Sequence, residues 1–315
     1  MVNSVQSSIE KLQRSVVRRK ATDPSPTNAL DPTEPKVLDR EDLKLDVRAT
    51  RSGAHSRDVR SVMDVAIFRL TKRKKCSNQT IRYDLSDGFV EVSSGPAGMA
   101  TVWDYDIVIM AVSHLTEAMN FYRPGHGVKP GRLFRPPISS ILRGDGGRQY
   151  KELEGALDRL RTTTVKIRRT MKERNGQRLL EISSEGLISD YRIIKCQNER
   201  RVKAVEIELP RRLYQEIVEL KSPAVLKVHP EYLRLQSGTA RFIYRLARLR
   251  AGETDCSWSF RKLYEHSGRQ GTFNKFVFLL RDLIKADDLP EYSLAEIAGE
   301  SGPLLWIKKR IDSVG

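Results

Sequence analysis

Residues Arg148 to Ile182 read RQYKELEGALDRLRTTTVKIRRTMKERNGQRLLEI, and this stretch decides the fold. Within it Tyr150, Leu153, Leu157 and Leu160 recur at intervals of three and four, the spacing that lines side chains along one face of a helix. Arg148, Lys151 and Arg159, with Gln149 beside them, fall on or near the exposed side. Two β-prone runs follow, Thr162–Arg169 and Gln177–Ile182, joined by Glu173-Arg174-Asn175-Gly176. Asn-Gly is the preferred centre of a type I′ hairpin turn, where both residues need a positive φ. Upstream, a short helix is predicted near Pro137–Leu142 with proline at its start, where a missing N–H costs nothing. Gly144, Gly146 and Gly147 then turn the chain. Short helix, glycine turn, amphipathic helix and hairpin, in that order, are the parts of a winged helix-turn-helix. In such a unit the helix that begins near Arg148 enters the major groove. Lys172, Arg174 and Arg178 at the hairpin tip would rest on phosphate or in the minor groove.

Moving outward from this stretch, globular patterning extends back to Val62. Strand-like runs are predicted at Val65–Leu70, Thr80–Asp84 and Phe89–Ser93, and a buried helix over Tyr105–Tyr122. Residues 21–60 mix Pro24, Pro26, Pro32 and Pro35 with Ser, Thr, Asp and Arg and hold no apolar period, so 1–61 reads as a flexible arm. Downstream, strands at about Tyr191–Lys195 and Val202–Leu209 precede a helix at Arg211–Leu220, and Thr239–Arg250 reads as a long helix. Its Phe242, Ile243, Leu246 and Leu249 turn inward. Arg241, Arg245 and Arg248, spaced by four and three, are expected on the opposite face, either straddling a phosphate strand or forming the salt-bridged surface of the helix. Ser259–His266, the turn Ser267-Gly268 and Thr272–Lys285 repeat the helix-turn-helix pattern, with Leu289–Glu296 and Pro303–Lys309 as wing strands. Phe273, Phe276, Val277, Leu280 and Ile284 form the inner face of that last helix. Arg269, Gln270, Thr272, Asn274, Lys275 and Arg281 supply donors for base edges and backbone oxygens. The expected class is α+β: an arm (1–61) and two tandem winged helix-turn-helix domains (62–189 and 190–315).

The chain of 315 residues carries 56 Lys and Arg against 40 Asp and Glu, a net charge of +16 that implies a polyanionic partner. Residues 1–60 hold 12 basic and 9 acidic side chains, so +13 belongs to the rest. No run approaches the 18 or more apolar residues of a spanning helix, and Met1–Lys20 lacks a signal-type core, so a cytoplasmic protein is expected. Cys76, Cys196 and Cys256 lack the paired spacing of disulfides or zinc sites and read as inert thiols. Catalytic signals fail on inspection. Gly125 to Gly131 suggests a phosphate loop, but Pro130 stands where a Walker loop needs a hydroxyl. The five histidines are scattered without metal-ligand spacing. Asp104 with Asp106 opens a helix and Asp287 with Asp288 closes one, which are ordinary structural roles. Tyrosine nucleophiles lack the histidine cluster that nicking chemistry needs. The chain is therefore read as a non-enzyme without metal or cofactor.

A family likeness agrees with this reading. Tyr150–Ile167, set after a helix and before a wing, resembles the first winged helix of bacterial plasmid replication initiators, nearest to the replication initiator protein A family. Phe68-Arg69-Leu70, Ile81-Arg82-Tyr83 and Thr101–Tyr122 extend the likeness forward. Ser237–Leu246 followed by Trp258–Leu263 is similar to the opening of the second winged helix in iteron-binding initiators. The resemblance implies two modules gripping directly repeated origin sites, opening of an adjacent AT-rich segment, and dimers that repress their own gene. It also implies the host replication initiator and replicative helicase as partners. The likeness departs at residues 1–61, and at the last helix, which carries Phe278 and two cations between Thr272 and Leu283. The rival readings are a transcriptional repressor and a nicking or primase-type enzyme.

Overall fold

A computed structural model describes residues 56–60, 63–71, 77–141, 147–172, 177–196 and 202–310, all within one unit, Leu43–Gly315. Strand β1 (Ser56–Val59) comes first. The chain from Met63 to Leu70 buries Val65, Ile67 and Phe68 as irregular backbone, touching strand geometry only at an Arg69–Thr101 bridge. The strand predicted there is thus corrected: both faces of the run are enclosed, and no ladder partner lies alongside. β2 (Thr80–Leu85) and β3 (Gly88–Ser93) form a hairpin. Helix α1 (Asp106–Tyr122) buries Val108, Ile109, Val112, Leu115 and Met119. A two-residue strand β4 (Leu133–Phe134) and a single helical turn α2 (Ile138–Ile141) lead into α3 (Gly147–Thr162). Leu153, Ala156, Leu157 and Leu160 of α3 are buried, as their spacing requires.

β5 (Thr164–Lys172) and β6 (Arg178–Gly186) pair antiparallel with Lys172 opposite Arg178, one residue out of the register that a two-residue Asn175-Gly176 turn would set; residues 173–176 lie outside the described residues. β3 adds to β5, giving a four-stranded sheet of order β2-β3-β5-β6. β7 (Asp190–Lys195) and β8 (Val202–Glu208) form a second hairpin, but β8 also pairs with β4. A helical turn α4 (Arg211–Tyr214) continues as a π turn to Glu219, replacing the regular helix expected over 211–220.

β9 (Val225–Val228) pairs with β1. This corrects the expected arm: residues 56–60 are built into the fold, because Val59 supplies a buried apolar side chain and Asp58 a buried carboxylate. α5 (Gly238–Arg250), β10 (Asp255–Ser259), α6 (Phe260–His266), α7 (Phe273–Ala286), β11 (Tyr292–Ile297) and β12 (Leu304–Lys309) complete the described chain. The last three strands form a sheet of order β10-β12-β11. Ser237, Ser259 and Thr272 cap α5, α6 and α7, each hydroxyl accepting a hydrogen bond from a backbone N–H three residues on.

Candidate nucleic-acid interface

The structure sorts the sequence-predicted donors into three groups. The first is interior. Arg241 is 2% exposed and Arg245 0%, because nearly all of α5 is enclosed. Arg245 Nε donates to Asp58 Oδ2 at 2.6 Å, and its guanidinium carbon lies 4.7 Å and 5.0 Å from the ring centres of Phe68 and Tyr105. Arg241 Nη1 donates to Asp106 at 2.6 Å and its other nitrogens to the Leu233 and Leu235 carbonyls. Arg248 donates to Glu253 and to the Lys227 carbonyl. The exposed arginine stripe is therefore corrected: the carboxylates of Asp58 and Asp106, remote in sequence, neutralise Arg245 and Arg241 inside the fold, and Arg248 is engaged near its edge. Arg159 is corrected likewise. It grips Asp104 with two hydrogen bonds of 2.8 Å, and Asp104 in turn accepts from the Thr101 N–H before α1. Those bonds to Asp104 hold the Arg159 pKa above its ordinary value despite burial.

The second group is exposed but already engaged. Arg148 pairs with Glu152 one turn on, at 3.0 Å, and Arg281 clamps α7 to β11 through two bonds to Glu296 of 2.9 and 2.8 Å. Thr272 serves as the α7 cap, and Gln270 donates to Gln79 Oε1 at 2.5 Å. Gln149 and Arg269 are half-buried.

The third group is free to meet a partner. Lys151 on α3, Arg178 on β6, and Asn274 and Lys275 in the first turn of α7 are exposed and carry no ion pair among the described residues. Arg174 lies outside the described residues, and of Lys172 the backbone pairing alone is described. The inner face of α7 is Phe276, Leu280 and Leu283, with Phe273, Val277 and Ile284 half-buried. On its outer face Phe278 stands 65% exposed between Asn274 and Arg281.

Sequence reading missed a further cationic surface. Register pairs Arg82 with Glu91, Phe89 with Arg168 and Thr170 with Leu180, so these side chains share the outer face of the four-stranded sheet. Arg82 sits 3.9 Å over the Phe89 ring and Arg168 lies 6.0 Å from it. Both flank a groove of about 520 Å³ that Arg178 and Asp87 also line, with Arg82 paired to Asp84 at 2.9 Å. Alternation at Lys166, Arg168 and Thr170 was the signal that could have found it.

Among the described residues no group of three or more His, Cys, Asp or Glu could hold a metal, and no helix is long and apolar enough to cross a membrane. Cys196 and Cys256 are free thiols.

Comparison with known proteins adds identity to this geometry. Over 216 residues the chain is 28% identical to a protein of Wigglesworthia glossinidia brevipalpis described as a replication protein, covering 67% of this chain and 75% of that one. In shape it is similar to a crystal structure of domains 2 and 3 of RctB, with a TM-score of 0.54 and 14% identity over 80% of this chain and 99% of that one. That likeness concerns the fold alone. Residues 57–294 match the family described as replication initiator protein A, a span that takes in both helix-bearing halves, and the chain belongs to that family.

Proposed function

We propose that this chain starts replication of a bacterial plasmid by binding double-stranded origin DNA at direct repeats, through two winged-helix modules and without a catalytic centre. The observation that carries the reading is the element order α5-β10-α6-α7-β11-β12. It supplies three helices with a strand after the first and a hairpin after the third, the plan of a winged helix, and α7 presents Asn274 and Lys275 at its start. The order α1-β4-α2-α3-β5-β6 repeats this plan, except that β4 pairs with β8 instead of with the hairpin. A net charge of +16 supplies the attraction to phosphate. Binding by both modules would offset the cost of bending or melting the origin, which reaches several kcal/mol, up to about 10. A homodimer, the host replication initiator and the replicative helicase are the proposed protein partners, in the cytoplasm.

Footprinting across the DNA beside the encoding gene tests this reading. Protection of an array of direct repeats next to an AT-rich stretch is expected. A single protected palindrome would make the chain a repressor, and a metal-dependent nick in supercoiled DNA would make it an enzyme. With both modules engaged, roughly six to twelve phosphate contacts give a log–log salt slope of about −5 to −11. A slope shallower than about −3 would mean that one module alone meets the duplex.

A further inference from the structure

A small pocket of about 60 Å³ lies where the turn between α6 and α7 meets the first half of the chain. Arg69, Thr71 and Gln79 line it from one side and Arg269 and Gln270 from the other, with Leu70, Ile81 and Met99 as its apolar wall, and among the described residues no carboxylate lines it. The two walls are held together tightly. Gly268 has φ +57°, and a Cβ there would meet the Tyr83 hydroxyl oxygen at 2.1 Å. That hydroxyl donates to the Ala66 carbonyl at 2.7 Å, and the Ala66 N–H donates to the His266 carbonyl at 2.9 Å. The 2.5 Å bond from Gln270 to Gln79 spans the same seam. The backbone of Arg69 is fixed on both sides, its N–H donating to the Ala100 carbonyl and its carbonyl accepting from Val102.

Electrostatics give the pocket a preference. Arg269 Nη1 donates to Thr239 Oγ1 at 3.0 Å, a neutral partner, and among the described residues no ion pair reaches this guanidinium. Burial without a counter-charge pushes its pKa down. A cation withdrawn from water in this way gains strongly from an anion brought beside it. Size fits as well. At about 60 Å³ the pocket has room for more than one water-sized group, enough for the free oxygens of a small oxyanion.

We propose that this pocket is a phosphate subsite, in which Arg69 and Arg269 take one backbone phosphate of the bound duplex, with Gln270 and Thr71 as supporting donors. The proposal rests on the DNA-binding reading above and goes beyond it. One phosphate becomes a ligand of both halves of the chain, so the seam between them is registered against the DNA backbone. Guanidinium suits the role because its planar fork matches two phosphate oxygens at once.

The full chain tests this in two arms, on Arg269→Gln, Arg269→Lys and Arg69→Gln beside the wild type. In the first, duplex affinity is measured against salt. Arg269→Gln is expected to flatten the slope by about 0.9, so that between 50 and 200 mM salt it loses about 3.5-fold less affinity than the wild type, with base preference unchanged. Arg269→Lys should restore part of the slope. In the second arm, without DNA, inorganic phosphate at constant ionic strength should raise the melting midpoint of the wild type and not that of Arg269→Gln. A phosphate-dependent rise with no change of slope would overturn the backbone assignment and leave a free-anion site; absence of both effects would overturn the pocket altogether. Should Arg269→Gln fail to fold, Arg69→Gln carries the same two measurements. If the wild type binds no duplex, the DNA reading and the backbone assignment fall together, while the phosphate arm still decides whether the pocket takes an oxyanion.

Discussion

Arg245→Met is expected to destabilise the chain by about 3–5 kcal/mol, because it leaves the Asp58 carboxylate buried without its cation. Both partners are 0% exposed and joined at 2.6 Å. Asp58 is otherwise held by the Val59 N–H and the Tyr105 hydroxyl, at 2.8 and 3.0 Å, and neither carries a charge. The Coulombic pull of Asp58 keeps the Arg245 pKa raised even though burial works against it. Converting Asp58→Leu in the same chain should recover much of the loss, since an apolar pair of similar bulk tolerates burial better than half an ion pair. For a folded unit of this size the single change corresponds to a melting shift of roughly 6–20 °C. Denaturant titration of the two single variants and the double variant checks both statements. A loss below about 0.5 kcal/mol, the range of an ordinary surface change, would mean that the pair does not bind β1 to α5. A chain starting at Met63 lacks Asp58 altogether and should melt as low as Arg245→Met.

This pair also shows where the sequence stops being legible. The periodicities of α1, α3 and α7 and the strand runs of β5, β6, β11 and β12 are local signals, and each element stands within a few residues of its predicted bounds. Burial of α5 is not local. Arginines at spacings of four and three look like a solvated face, and what encloses them is Asp58 and Asp106, 187 and 135 positions away. The strand β1 was hidden for the same reason, since four residues in a proline- and serine-containing stretch have no pattern until β9 pairs with them. Arg159 shows the mixed case: its helix was read correctly and its direction was not, because Asp104 draws it inward. The donors at the start of α7 remain exposed, since capping by Thr272 fixes that turn locally and nothing remote covers Asn274 or Lys275.

Those exposed donors carry the second large effect, which falls on base preference. Given the DNA-binding reading, Asn274→Ala and Lys275→Ala should each cost about 1–3 kcal/mol, or roughly 5- to 150-fold in affinity, and relax the preference at one or two base pairs. Lys151→Ala on α3 should behave alike at a different part of the site, because α3 occupies the equivalent place in the first half. Arg178→Ala, on the hairpin strand, should instead weaken all sequences similarly and flatten the salt slope by about one phosphate contact. Phe278 separates base reading from backbone contact most sharply. It is a large apolar ring, 65% exposed, on a helix face that also bears Asn274, Lys275, Arg281, Asp282 and Lys285. The apolar feature that a major groove offers such a ring is the thymine methyl group. Phe278→Ala should therefore lower the preference for thymine at one position, and replacing that thymine by uracil should weaken the wild type while leaving Phe278→Ala unchanged. Binding-site selection on each variant, followed by uracil scanning of the selected site, reads both effects. If Arg178→Ala changes base preference while the α3 and α7 variants leave it untouched, the assignment of reading to the helices and of backbone contact to the hairpin is wrong.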